Sequence, residues 1–185
     1  MKRQFIELIE KRLTSIDEGI AIFENESIEV LSHRASQKTW SVLENIEHLH
    51  RYNDFYIEEF WKSMKRAQHS DSDEMARGRF GMKSAKSMLP TEEGVTNPMK
   101  TFRSKNPHFT VIDKSILETF RNEQEELKRI LEEAKSKDIG GVMCRTTLPL
   151  IRFHLCDALE FVINHQVRHI AQAKLALKQG FVRAS

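Results

Sequence analysis

Apolar residues recur at steps of three and four along four long stretches of the chain, and this spacing predicts four amphipathic helices. The first predicted helix ends near Phe23. Its apolar face consists of Ile6, Ile9, Leu13, Ile16, Ile20 and Phe23. The second helix begins after Trp40, because Ser41 and Glu44 have the spacing of a capping box, and it continues to about Gln68. A polar connection, ENESIEVLSHRASQKT, joins these two helices.

The third and fourth predicted helices lie in the second half of the chain. The third ends before Gly140, and its apolar positions are Ile112, Ile116, Phe120, Leu127, Ile130 and Leu131. The fourth covers roughly Cys156 to Lys178 and is expected to stop at Gly180, because glycine commonly follows the last turn of a helix. The only strand-like material is the short segment VMCRTTLPLIRF before the fourth helix. Together these elements predict an all-α protein, a four-helix bundle.

A long loop, residues 70–108, separates the second and third predicted helices. Its glycines, prolines and polar residues exclude a long regular element, although short helical turns are expected. Its apolar residues predict that it packs over one end of the bundle: Phe80, Met82, Met88, Met99 and Phe102, with Phe109 just beyond. Lys100, Arg103 and Lys105 could attract an anionic substrate, but a solvated loop surface is the favoured interpretation.

Length and charge narrow the class of protein. The 185 residues predict a single domain, residues 1–185, with a core that needs no disulfide. The 29 basic and 27 acidic residues leave a net charge of +2, which argues against nucleic-acid binding. The chain has no run of about 18 apolar residues and no signal-peptide pattern, so a cytoplasmic protein without membrane contact is expected. Cys144 and Cys156 lack a CxxC spacing and are interpreted as ordinary thiols.

Two histidines of the fourth predicted helix have the spacing of metal ligands. His165 and His169 are four residues apart, so their imidazoles lie one turn apart on one helix face and could bind a single Zn, Ni or Fe ion. A third ligand is required, and His48 and His50 of the second helix are the leading candidates. Helical periodicity alone slightly favours His50, which lies at the edge of the main apolar face. Because neutral imidazole is the ligand, metal uptake is expected to fail below about pH 5.5.

Two segments together resemble a known family. WSVLENIEHLHRYNDFY, followed more than a hundred residues later by NHQVRHIAQ, is similar to the DinB/YfiT-like family of four-helix-bundle metalloenzymes, also described as the bacillithiol/mycothiol S-transferase-like superfamily. The resemblance covers the whole helix order and the long middle loop. It implies that the histidine eight residues after Trp40 is the third ligand. The implied metal ligands are therefore His48, His165 and His169.

The resemblance also implies a range of functions. Relatives transfer low-molecular-weight thiols such as bacillithiol or mycothiol, isomerise maleylpyruvate with such a thiol, or are described as metal-dependent hydrolases. The expected function is a thiol S-transferase that uses a divalent metal, Zn or Ni first and Fe or Mn next, with the thiol as cosubstrate. A metal-dependent hydrolase and a non-catalytic, metal-binding stress-response protein are the alternatives. The expected partner is a small-molecule substrate. Self-association as a homodimer is a further expectation.

Other residues near the motifs are given structural interpretations. Glu44 could act as a general base, but its place in the capping box is the better explanation. Asp157 and the glutamate three residues later are interpreted as the cap of the fourth helix. Gln172 lies on the same face as the histidine pair and could orient a ligand. Arg168 is expected at the surface or in an ion pair between helices, and Trp40 in the core.

Overall fold

The computed structural model describes residues 1–91, 99–108 and 110–184. Within these ranges the chain forms six α-helices and one two-stranded antiparallel sheet. In chain order these elements are α1 (Lys2–Glu24), α2 (Ile28–Ser32), α3 (Val42–Arg66), α4 (Arg79–Ser87), α5 (Ile116–Ala134), β1 (Met143–Arg145), β2 (Arg152–His154) and α6 (Leu155–Ala184). The predicted all-α class is therefore confirmed, and the strand-like segment forms only a short hairpin.

Four long helices build the body of the molecule. Helix α1 packs against α5 and α6, and α3 packs against the same two helices, which closes a four-helix bundle. Their apolar faces meet in one cluster of buried side chains that includes Ile16, Phe60, Phe120 and Ile163. The periodicity in the sequence predicts these faces because the apolar positions that repeat every three to four residues face the bundle axis. Among the described helices, none has the length and apolar character needed to cross a bilayer.

The local signal at the start of α3 is confirmed, whereas the one expected at the end of α6 is not. The capping box of α3 is confirmed: the Ser41 hydroxyl accepts from the Glu44 amide at 3.2 Å, and the Glu44 carboxylate accepts from the Ser41 amide at 2.9 Å. The predicted stop at Gly180 is wrong, because α6 continues to Ala184. A Cβ at Gly180 would lie 3.3 Å from the carbonyl oxygen of Val30, so the glycine permits close contact with α2. That five-residue helix lies in the polar connection and was not predicted.

The long loop packs back onto the bundle through α4, although only one of the described apolar residues on which that prediction rested, Met88, is buried. Its helix α4 contacts α6 and buries Gly81, Ala85 and, just beyond its end, Met88. A single 3₁₀ turn at Arg103–Lys105 contacts α3. Other apolar residues of the loop, Phe80, Met82, Met99 and Phe102, remain 38–62% exposed. Residues 92–98 and Phe109 lie outside the described residues.

A buried charge cluster ties the start of this loop to α6. The Arg77 guanidinium pairs with Asp157 and, at 2.5 Å, with Glu160. The second oxygen of Asp157 accepts from the Gly78 amide at 2.7 Å, and the Asp157 side chain has no solvent exposure. The interpretation of Asp157 and Glu160 as a helix cap is therefore wrong. They hold the start of the loop through Arg77 and the Gly78 amide. The loop also passes so close to Asp157 at Gly81 that a Cβ there would lie only 2.7 Å from it.

Replacing Arg77 with alanine should destabilise the protein by about 3 kcal/mol, because it leaves the buried Asp157 carboxylate without its counter-charge. The exposed Arg79, two residues away, provides a matched control, and Arg79→Ala should change the free energy of unfolding by no more than about 0.5 kcal/mol. Chemical denaturation of the two variants tests this. Equal effects of the two substitutions would contradict the assigned role of Arg77.

Candidate metal centre

Three histidines from two helices meet inside the bundle. His48 comes from α3, and His165 and His169 come from α6. One ring nitrogen of each lies within 4.8 Å of the other two, and Nε2 of His48 is 3.3 Å from Nε2 of His165. The group could therefore hold a metal ion, and it consists of the three histidines that the sequence and the family resemblance indicate together.

His50 lies on the other side of α3, as a two-residue step of about 200° requires. Its Nδ1 contacts Glu123 of α5 at 2.5 Å, and its side chain is 26% exposed. The structure thus places His48, not His50, beside the histidine pair on α6. Helix α3 is buried on two faces. Helical periodicity detects the broader apolar face, which has His50 at its edge, and His48 lies on the narrower one.

Backbone and amide oxygens orient two of the three imidazoles. Nδ1 of His48 lies 2.7 Å from the carbonyl oxygen of Lys105, and Nδ1 of His169 lies 3.0 Å from Oδ1 of Asn45. The Asn45 amide nitrogen donates to the Ser41 carbonyl at 2.9 Å, which fixes the orientation of that amide. Because these oxygens accept hydrogen bonds, each Nδ1 carries the proton and Nε2 keeps its lone pair. Hydrogen bonds of this kind commonly orient metal-binding histidines.

Arg51 holds the loop that supplies the Lys105 carbonyl. It lies on α3, one turn after His48. The Arg51 guanidinium donates to the carbonyl of Asn106 at 2.8 Å and to the Thr110 hydroxyl at 3.2 Å. The Lys105 ammonium in turn donates to the Arg51 carbonyl. The interpretation of Lys105 as a solvated surface residue is therefore wrong, and its position makes the loop part of the histidine centre.

The histidines face a cavity of about 800 Å³. Trp40, expected in the core, is partly exposed on the cavity wall and stacks on His169 with a centroid separation of 5.7 Å. Arg168, whose expected positions included the surface, is only 4% exposed and also lines the cavity. Gln172 lines it as well, which fits its predicted place on the histidine face.

Burial keeps the three imidazoles neutral. Desolvation, opposed in part by the Lys105 carbonyl, lowers the pKa of His48 from 6.5 to about 4. Desolvation and the neighbouring histidines lower the pKa of His165 and of His169 well below 6.5. His165 retains partial exposure because it faces the cavity. Each ring therefore stays neutral, the form that binds metal, in more acidic solution than its reference pKa suggests. The pH below which metal uptake should fail, expected near 5.5, is accordingly lower.

Few other groups near the centre can exchange a proton at neutral pH. Among the described residues, no carboxylate lines the cavity. Glu44 is engaged by the Ser41 amide and by the Arg34 guanidinium at 2.7 Å, so the structure supports its capping role over a role as general base. Burial raises the pKa of Tyr52, on the cavity wall, to about 12. It also raises the pKa of both cysteines, which agrees with their interpretation as unreactive thiols.

Comparison with known proteins identifies the family of the chain. A family model described as the DinB superfamily matches residues 15–173. The chain belongs to the DinB superfamily. The matched region includes all three histidines, the Trp40–Ser41 start of α3 and the long loop. A search of curated proteins and a search of solved structures each gave no significant match. Membership of the DinB superfamily therefore supports the fold and the histidine centre without supplying a specific activity.

In the metal-free protein, the free energy of unfolding should fall as pH is lowered from about 6.5 to about 4. In this window the unfolded chain protonates His48 while the folded protein keeps it neutral, so the unfolded state binds more protons. The lowered pKa of His48 alone should reduce the free energy of unfolding by about 3 kcal/mol across this window. Denaturant titrations at several pH values test this, and His48→Gln should reduce the dependence on pH. Equal stability at both ends of the window would contradict the buried, neutral state.

Proposed function

We propose that this DinB-superfamily protein is a divalent-metal-dependent enzyme that binds its ion through His48, His165 and His169 and transfers a low-molecular-weight thiol to a small electrophile. The observation that supports this most directly is the meeting of three neutral imidazoles at one end of a cavity of about 800 Å³. That volume lies in the range of small-molecule sites. A metal held by three protein ligands keeps a position for substrate, unlike a closed structural site.

The donor set fits the proposed ion. The 3.3 Å between Nε2 of His48 and Nε2 of His165 is about the spacing of two ligands on a tetrahedral ion with bonds of roughly 2.0–2.1 Å. Imidazole nitrogen suits Zn and Ni, our first choices, and also Fe. Mn ranks after them because it prefers oxygen ligands. When bound, such an ion would supply Lewis acidity, which deprotonates a coordinating thiol outright and lowers the pKa of water to about 7.

The cavity wall favours thiol transfer over hydrolysis. Activation of water profits from a nearby base, and within the described part of the chain no carboxylate lines the cavity. Tyr52 stays protonated at neutral pH and serves as a hydrogen-bond donor. The buried side chain of Arg168 lines the same cavity and adds a positive charge to its wall. Trp40 stacks on His169 and Phe161 on His165, so aromatic surface borders the histidines.

Metal analysis tests the centre itself. His165→Ala should carry one equivalent of metal less than the parent protein after dialysis, because two imidazoles are too few to hold the ion tightly. His69 is a matched control, since its side chain is 69% exposed and contacts Asp71. His69→Ala should keep the parent content. Equal metal content in the two variants would refute the assigned ligands.

A reaction panel tests the chemistry. The metal-loaded protein is mixed with bacillithiol or mycothiol and with a chlorodinitrobenzene electrophile. The thiol sulfur forms a thioether, chloride leaves, and the thiol proton passes to solvent. We expect thioether formation above the uncatalysed rate, lost after chelation and in His165→Ala. Metal-dependent ester hydrolysis without any thiol requirement would favour the hydrolase instead, and full metal occupancy without either reaction would favour a non-catalytic metal-binding protein.

A further inference from the structure

A second group of potential metal ligands lies on the opposite side of α3, at its contact with α5. It consists of His50 and Asp54, which are one turn apart on α3, and Glu123 of α5. One ligand atom from each lies within 4.8 Å of the other two. Because His48 and His50 are separated by about 200° around the helix, this group is independent of the histidine cavity.

The three side chains come together around one ring nitrogen. Nδ1 of His50 lies 3.7 Å from Oδ1 of Asp54 and 2.5 Å from Oε1 of Glu123, a direct hydrogen bond that a bound ion would replace. His50 and Asp54 lie at i and i+4 on one helix face, and Glu123 comes from the facing helix. Metal sites in helix bundles likewise take their ligands from facing helices.

Hydrogen bonds fix the orientation of the Glu123 carboxylate, as they commonly do for metal ligands. Its side chain is 13% exposed, and Oε2 accepts from Nδ2 of Asn53 at 2.6 Å, which leaves Oε1 directed at His50. Asn53 is itself fixed by Gln166 of α6, whose amide donates to Oδ1 of Asn53 at 3.0 Å. This chain of hydrogen bonds crosses three helices and holds the carboxylate in one orientation. Outer hydrogen bonds of this type orient metal ligands and sustain affinity.

Charge also favours a divalent cation here. Even a charged imidazole at His50 would neutralise only one of the two carboxylates. Lys105 lies near enough to interact electrostatically with Asp54, but its ammonium donates to the Arg51 carbonyl and lies 5.3 Å from the centre of the Tyr52 ring. A divalent ion would balance Asp54 and Glu123 together. The Asp54 side chain is 64% exposed, so solvent provides a path of entry.

We propose that His50, Asp54 and Glu123 form a second divalent-metal site at the contact between α3 and α5, separate from the histidine cavity. One imidazole with two carboxylates suits a transition-metal ion such as Zn²⁺. The site lies outside the cavity, so its ion binds without contacting the substrate of the proposed reaction.

The test uses the full-length variant His48→Ala/His165→Ala, which keeps only His169 of the three cavity histidines and so reports on the second site whether or not the proposed function is correct. Titration with micromolar Zn²⁺ should give one bound equivalent. Adding Glu123→Gln to this variant should weaken binding at least tenfold. Glu118→Gln, an exposed position on the same helix, should leave binding unchanged. Zn²⁺ should raise the melting temperature of the double variant but not that of its Glu123→Gln derivative.

Asp54→Asn provides a second measurement, because its exposed side chain can be changed without disturbing the core, and it should also weaken Zn²⁺ binding at least tenfold. Absence of bound Zn²⁺ in the double variant would overturn the proposal and leave His50 and Glu123 as an ordinary pair between helices. Equal Zn²⁺ affinity in the Glu123→Gln, Asp54→Asn and Glu118→Gln derivatives would also overturn it.

Discussion

Helix α3 packs against α5 along one face and against α6 along another, so it is buried on two sides over most of its length. Polar residues of α3 as well as apolar ones therefore point inward, among them His48 and Asn53. His48 faces α6 and meets His165 and His169, while His50 faces α5 and meets Glu123. A helix with a single buried stripe could not supply both groups. The packing of α3 therefore determines where chemistry can occur in the bundle.

The four long helices were predictable because each has an apolar stripe that repeats every three to four residues. The capping box at Ser41 was equally local, since both partners lie within one turn. The stop predicted at Gly180 was wrong for the opposite reason. A glycine can end a helix or permit close contact, and only the position of Val30, 150 residues earlier, decides between them. The helix α2 is too short for its periodicity to be read from the sequence.

The candidate centre was predictable in part. The spacing of His165 and His169 places both on one helix face whatever the fold, whereas the choice of His48 came from the family resemblance, because periodicity could not rank two buried faces. Asn45 could have been found, since it lies one turn before His48 on α3. The Lys105 carbonyl could not, because every residue has a carbonyl oxygen and only the path of the loop places this one beside His48.

The histidine centre depends on contacts that lie outside the apolar core. One wall of the cavity comes from the loop, and the loop is held at its start by Arg77 and Asp157 and near its end by Arg51. Buried polar side chains between the helices cost about 1–3 kcal/mol each when they lack a partner, and both polar atoms of the Gln124 amide lack one among the described residues. The apolar cluster spanning all four long helices offsets such costs. The bundle thus provides stability, while a few charged and polar contacts position the loop over the histidines. It follows that a displaced loop would remove the Lys105 carbonyl from His48, while the three histidines stay on α3 and α6.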